Sequence, residues 1–216
     1  MDWLAVGLGA SGALLGFAAD RLATRWPEHD EEHPPGRAID WRTLVCVVAG
    51  ALALGLLVGR FGGDDPLPRI LFGAWFVTLV VGLATDLDQR MLPNILTLPV
   101  IPIALLFAVS GRNPFVGDAI LPAIAGAVVI PAVLYLPSIP FGAGAFGLGD
   151  VKLLLGSGVM LGLERAFAGV VVGLIAGGVV LLFLLATRRI SRRSYVPYGP
   201  FLIGGILWAA LVYTPP

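Results

Sequence analysis

The chain has 216 residues, of which 57% are hydrophobic and only 13% are charged. Soluble domains carry roughly 25% charged residues, so this composition excludes an ordinary soluble domain. The formal net charge is zero and there is no long basic tract, which argues against nucleic acid as a partner. The single cysteine, Cys46, allows neither an internal disulfide nor a CxxC metal site, and we expect it to be a small buried packing residue.

The first apolar segment runs from Trp3 to Ala19. It lacks a basic region before it and an Ala-x-Ala cleavage site after it. These features favour a retained first helix over a removed signal peptide.

Apolar runs of about 20 residues predict membrane-spanning helices. The predicted spans are 3–23, 43–60, 68–86, 94–111, 116–137, 150–162, 165–187 and 198–214. The sixth is short, so it is tilted, re-entrant or fused to the seventh. We therefore predict an all-α fold, a polytopic membrane helix bundle of about eight transmembrane helices that forms one domain over residues 1–216.

The distribution of Lys and Arg predicts the orientation. With the N-terminus outside, ten of the 14 basic residues lie on the inner side and four on the outer side. The predicted cytoplasmic segments are 24–42, 86–93, 138–150 and 188–197. Three acidic residues then lie at the inner edge of spans with apolar neighbours: Asp86, Asp88 and Asp150.

Small residues four apart occur in two of the predicted spans. They are Gly12 with Gly16, and Gly169 with Gly173 and Gly177. This spacing lets two helices approach closely, so we predict helix-packing faces there.

Asp86 ends the third span, and Asp88 follows two residues later, nearer Arg90. Positions two apart face different directions on a helix, so at most one of them points easily at another helix. Asp86 by itself is also consistent with a charge that pairs with Arg90. Asp150 begins the sixth span, where it either caps the helix, with Lys152 extending to the interface, or has a chemical role.

Two carboxylates at one depth on different helices can share a proton. The ionised one takes a proton from a bound water, and the protonated one donates to a substrate carbonyl. This is the aspartic protease arrangement. Four glycines precede Asp150, at positions 142, 144, 147 and 149. They leave room for an extended peptide or form a flexible loop.

Two segments resemble the type IV prepilin peptidases. The sequence GLGDVKLL at 147–154 is similar to their GxGD signature, which continues Val-Lys-Leu. The sequence TDLDQRMLPNILTLP at 85–99 resembles their other catalytic segment, in which Leu or Ile follows an Asp by six residues and precedes Pro. Asp86 meets this spacing and Asp88 does not. Two further segments resemble bacterial members of the family, GALLGFAADRLATRWP at 12–27 and VPYGPFLIGG at 196–205.

The resemblance implies an aspartic endopeptidase of the bacterial inner membrane, and for this chain we predict no cofactor and no metal site. Its substrates would be prepilins or pseudopilins, cut at the cytoplasmic face just before their apolar helix. It assigns catalysis to Asp86 and Asp150. We assign substrate binding to the residues around them: Gly147, Gly149, Lys152, Pro93 and Asn94.

The segment between the first two spans departs from the family. Many bacterial members have a larger cytoplasmic domain there, with two CxxC pairs that bind zinc, and they also methylate the new N-terminus. Here residues 24–42 form a short cytoplasmic loop without Cys, so we do not expect methyltransferase activity. His29 and His33 make a metal site conceivable, but we expect a solvated polar loop.

Other functions compete with this interpretation. A small transporter or channel could use Asp86 and Asp150 as a proton or cation site, although the paired repeats that transporters often show are not evident. An inactive scaffold in a pilus or secretion assembly is a third possibility. The presenilin-like proteases also use GxGD, but their Tyr-Asp and Pro-Ala-Leu motifs do not occur in this sequence.

Overall fold

The computed structural model describes residues 3–29, 34–141, 146–189 and 198–214. All regular structure in these residues is helical, which confirms the predicted fold class. The helices are α1 (Trp3–Ala23), α2 (Trp41–Gly55), α3 (Leu57–Arg60), α4 (Pro66–Gln89), α5 (Asn94–Thr97), α6 (Val100–Val109), α7 (Ile120–Tyr135), α8 (Leu148–Ala186) and α9 (Gly199–Leu211). A 3-10 segment, Leu136–Phe141, continues α7.

The predicted apolar spans all fall on helices. Among the described residues, five helical stretches are long and apolar enough to cross a membrane: Trp3–Ala23, Trp41–Arg60, Pro66–Gln89, Ile120–Pro140 and Leu148–Ala186. Two shorter apolar stretches are Asn94–Val109 and Gly199–Leu211. The sixth and seventh predicted spans are fused in α8, which is broken at Gly162 (φ 73°, ψ 173°).

Local sequence signals explain where the helices begin. Asp40 caps α2, because its carboxylate accepts from the Arg42 amide at 2.8 Å, and Thr43 completes a capping box. Asp65 caps α4 directly before Pro66, and its carboxylate accepts from the Leu67 amide at 3.0 Å. At its other end α4 stops at Arg90, which adopts a left-handed conformation (φ 56°).

The predicted glycine faces are packing faces. A β-carbon at Gly12 or Gly16 of α1 would overlap the backbone of α2 at Gly50 or Cys46. Gly169 and Gly173 of α8, in the same way, lie against the backbone of α9. Cys46 is fully buried, as expected for a packing residue.

Helix α4 lies at the centre of the bundle, packed against α1, α2 and α9. Its N-terminal half carries a buried aromatic cluster in which Phe72 stacks on Phe61, with ring centroids 4.3 Å apart, and meets Phe76 and Phe107. Aromatic packing of this kind stabilises that half of the helix. The C-terminal half is buried as well, at Leu83, Ala84 and Thr85, so the core also surrounds the end where Asp86 lies.

Candidate active site

The structure brings Asp86 and Asp150 together at one cleft. Asp86 lies in the last turn of α4, and Asp150 lies in the first turn of α8. Both line a cleft of about 170 Å³. The rest of the lining is Arg90, Met91, Leu92, Gly147, Gly149, Tyr198 and Gly199. Two carboxylates from different helices, far apart in sequence, thus face the same small space.

Asp86 is buried, with only 6% of its surface exposed. Its Oδ2 atom has no hydrogen-bond partner in the described part of the chain. A buried polar atom without a partner is costly, by about 1–3 kcal/mol and more when charged. Because most buried polar atoms in proteins are satisfied, this exception means that the described residues leave one oxygen of Asp86 unpaired beside the cleft.

Asp150 occupies the third position of α8, after the N-cap residue Gly147. Its carboxylate turns back toward Gly147, whose backbone amide is placed to donate to it. This is one half of a capping box. Helix capping and a place in the cleft, which the sequence left as alternatives, are therefore compatible in Asp150.

Gly199 shapes the site in a way that the sequence did not reveal. A β-carbon at this position would overlap the carboxylate of Asp86, so any larger residue would displace either that carboxylate or the start of α9. Tyr198, the residue before it, is partly exposed at the rim of the cleft. In the sequence, the segment at 196–205 shows only a resemblance to the family, and a glycine before a proline is common at turns, so the sequence assigns no role to Gly199.

The predicted substrate-binding residues fall into two groups. Gly147 and Gly149 line the cleft, and a β-carbon at Gly149 would lie 3.1 Å from the β-carbon of Leu92. Lys152, Pro93 and Asn94 do not line it.

Lys152 and Asn94 instead contact each other, because Lys152 Nζ donates to Asn94 Oδ1 at 2.7 Å. Pro93 is the N-cap residue of α5. The Lys152–Asn94 hydrogen bond ties α5 to α8 and so holds Leu92 against Gly149. The predicted glycines at 142 and 144 lie outside the described residues.

Asp88 points away from the cleft, into a buried ion-pair network. Its Oδ1 accepts from Arg37 Nε at 2.7 Å, and its Oδ2 lies 3.4 Å from His29 Nε2. Arg42 Nη1 lies 3.6 Å from Asp88 Oδ1. Asp86 and Asp88 thus point in different directions, but Asp88 also reaches another helix, through Arg42 of α2. The expectation that at most one of the two points at a partner on another helix is therefore wrong.

Arg37 links this network to the first two helices. It contacts Asp20 of α1 and the cap residue Asp40, each at 2.5 Å. Burial opposes the charge on Arg37, but hydrogen bonds to Asp88 and Asp20 outweigh it and raise the pKa of Arg37 above its usual range. Arg37 therefore stays charged at any physiological pH.

The prediction of a solvated loop at residues 24–42 is wrong for His29. Its side chain is only 5% exposed, and its Nε2 lies 3.1 Å from Gln89 Nε2 as well as near Asp88. The last turn of α4 supplies these polar partners, so the loop folds onto it. His33 lies outside the described residues. Within the described ranges no group of three His, Cys, Asp or Glu residues could hold a metal ion.

An all-helical membrane bundle with two carboxylates at one cleft has the architecture expected of a membrane-embedded aspartic protease. Comparison with known proteins leads to the same class. The profile of the type IV leader peptidase family matches residues 71–182, more than half of the chain, and includes both carboxylates. The chain belongs to this family, which confirms the resemblance seen in the sequence.

Curated relatives carry the name prepilin leader peptidase/N-methyltransferase. One from Burkholderia pseudomallei is 32% identical over 75% of this chain and 52% of its own length. One from Aeromonas hydrophila is 33% identical over 79% of this chain and 57% of its own length. One from Pseudomonas aeruginosa is 27% identical over 82% of this chain and 60% of its own length. The chain thus spans about half the length of these relatives. No solved structure gave a significant match.

Proposed function

We propose that this chain is an aspartic endopeptidase that removes the leader peptide from type IV prepilins or pseudopilin-like proteins. The observation that carries this proposal is the placement of Asp86 and Asp150 at one cleft in a member of the type IV leader peptidase family. The relatives are named prepilin leader peptidase/N-methyltransferase, which supports prepilin-like proteins as the substrate class.

The proposed chemistry uses the two carboxylates and a water molecule. Because like charges at close range do not both ionise readily, the pair holds a single proton. The ionised carboxylate takes a proton from the water, which attacks the scissile carbonyl carbon. The protonated carboxylate donates to the carbonyl oxygen, and the pair then returns a proton to the leaving amine. The step needs no cofactor and no covalent intermediate.

The glycines around the cleft give the peptide access. Gly147 and Gly149 line it without side chains, so the backbone of an extended substrate can approach the carboxylates. The hydrogen bond between Lys152 and Asn94 lies outside the cleft and links α8 to α5. These two residues therefore influence the substrate indirectly, by positioning the cleft wall.

The cleft is proposed to face the cytoplasm of a bacterial inner membrane. Arg37, Arg42 and Arg90 lie at the same end of α4 as Asp86. Arg60 and Arg112 lie toward its opposite end, near Asp65 and the C-terminal end of α9. The larger number of basic residues at the cleft end supports a cytoplasmic position for it.

Residues 24–42 are proposed to replace the larger cytoplasmic domain of the longer family members. The segment contains no Cys, and its described part packs on α4 through Arg37 and His29. We infer that the chain cleaves leaders without methylating the product.

A cleavage assay in liposomes tests the proposal, using a prepilin-like substrate from the same genome. Wild type is expected to cut before the apolar helix, and Asp86→Asn and Asp150→Asn are expected to abolish cutting while retaining the fold. Asp64→Asn is the matched control, because this carboxylate is exposed in a loop between α3 and α4. Full activity of either cleft variant would refute the pair.

The same liposomes distinguish the competing function. If wild type cuts none of the candidate substrates but conducts protons or cations, and Asp86→Asn stops that flux, the transporter or channel interpretation replaces the protease.

A further inference from the structure

The described helices enclose a second and larger concavity, an apolar groove of about 890 Å³. Helices α2 and α9 form its walls and the end of α4 forms its floor, with two residues of α8 at one side. Lining residues on the walls recur at spacings of three and four, such as Val48 and Leu52 on α2 and Gly204, Leu207 and Leu211 on α9. Each wall therefore presents one continuous helix face to the groove.

The groove begins at the candidate active site. Arg90 lines both the groove and the cleft. Leu87 on the floor directly follows Asp86, and Pro200 on the wall directly follows Gly199. From there the groove extends along the whole of α2 to Leu56, a distance of about 22 Å for 15 helical residues. A lipid-facing surface of this apolar character is ordinary in a membrane protein, but this one is concave and ends at the paired carboxylates.

We propose that this groove binds the apolar helix of the substrate and so sets the cleavage point at the end of that helix. The proposal rests on the proposed function, in which the cut falls just before an apolar helix. The groove, about 890 Å³ in volume and about 22 Å long, has room along its length for one side of a helix about 10 Å across. The occupant packs against protein on that side and faces lipid with its other side.

Among the described residues, the charged groups of the groove lining lie near the cleft. Arg42 and Arg90 are the charged residues of the lining, and both lie at that end. The side chain of Arg42 is partly exposed. The extended residues that link a bound helix to the scissile bond have unpaired carbonyls there, and the exposed part of the Arg42 guanidinium can donate to one of them.

Two glycines allow a matched test. A β-carbon at Gly204 or at Gly178 would meet no described atom within 4 Å, so a side chain can leave the backbone at both positions without an immediate clash. Gly204 lies in the groove wall, whereas Gly178 lies on α8 outside the lining. Gly204→Trp fills the groove and Gly178→Trp does not, and both changes place the same residue on an apolar helix.

The kinetic experiment compares two substrates in liposomes. One is the full prepilin-like protein, and the other is a soluble peptide that contains the leader and cleavage sequence but ends before the apolar helix. Gly204→Trp is expected to raise KM for the full substrate at least about tenfold and to leave cleavage of the peptide unchanged, and Gly178→Trp is expected to change neither. Wild-type KM in Gly204→Trp, or equal loss on both substrates, would overturn the proposal.

A crosslinking experiment separates this proposal from the proposed function, because it needs no cleavage. In a Cys46→Ala background, Gly204→Cys and Gly178→Cys are treated with a short bismaleimide beside substrates that carry one Cys at successive helix positions. Crosslinking at position 204, recurring every three to four substrate residues and weak at position 178, supports the groove even if no cutting occurs. Equal crosslinking at both positions would contradict it. A parallel sample contains photoreactive lipid, and labelling of position 204 by lipid without any crosslink to substrate would also contradict it.

Discussion

The backbone of Gly199 lies directly against the carboxylate of Asp86, so closely that a β-carbon at position 199 would overlap it. The first turn of α9 is thereby part of the wall that encloses the proposed catalytic carboxylate. The space for a side chain at position 199 is taken by the carboxylate of Asp86, so a substitution of Gly199 is a sensitive test of the site.

Gly199→Ala is therefore expected to displace either Asp86 or the start of α9 and to lower kcat/KM for leader cleavage at least about tenfold, equivalent to about 1.4 kcal/mol in the barrier. The cleavage assay measures the loss, and circular dichroism checks the fold. Gly178→Ala, where the added methyl meets open space, is expected to behave as wild type. Unchanged kcat/KM in Gly199→Ala would show that the contact does not matter.

Asp86 and Asp88 are expected to respond in opposite ways when each is changed to Asn. Asp86 is a buried carboxylate with an unpartnered Oδ2 atom, so a neutral amide relieves a desolvation penalty and stability is unchanged or higher. Asp88 is paired with Arg37, so its replacement removes one charge-assisted hydrogen bond of the buried network and lowers stability by about 2 kcal/mol. Thermal unfolding in detergent, followed by tryptophan fluorescence, measures both. The reverse order of midpoints would contradict the assigned roles.

Arg37→Ala is expected to be among the most destabilising surface-proximal changes in the protein. It removes one partner each of Asp20 and Asp88, which are both buried. Asp20 keeps Arg21, and Asp88 keeps His29 and Arg42, so we expect a loss of about 3 kcal/mol, the lower end of the cost of breaking a buried pair. Arg37→Lys should recover only part of the loss, since an ammonium cannot reach three carboxylates in the geometry of a guanidinium.

The control for Arg37 is Arg112→Ala. Arg112 is half exposed, and its ion pair with Asp65 is open to solvent. Exposed pairs contribute little, so the thermal midpoint should hardly move. If Arg37→Ala and Arg112→Ala shift the midpoint equally, the buried network does not hold residues 24–42 on the bundle.

The apolar runs and the glycine spacing were enough to predict the helical bundle, because span length and close helix contact leave periodic patterns in sequence. Pairing Asp86 with Asp150 needed the resemblance as well. The role of Asp88 could not be predicted, because its partner Arg37 is 51 residues away and meets it only through packing of three segments. The contact of Gly199 with Asp86 could not be predicted for the same reason, because the two residues lie on different helices.

The break in α8 at Gly162 gives the last prediction. Its backbone angles, φ 73° and ψ 173°, fall in a region that essentially only glycine adopts. Gly162→Ala should therefore lower stability by about 1–3 kcal/mol.

The same change should lower cleavage beyond what stability explains, because the segment before the break carries Asp150 to the cleft. Thermal unfolding and the cleavage assay on one preparation measure the two effects. Gly178→Ala, in the regular part of the same helix, should be neutral or stabilising. If Gly162→Ala unfolds and cleaves as wild type does, the helix tolerates a straight course at this position and the break does not place Asp150.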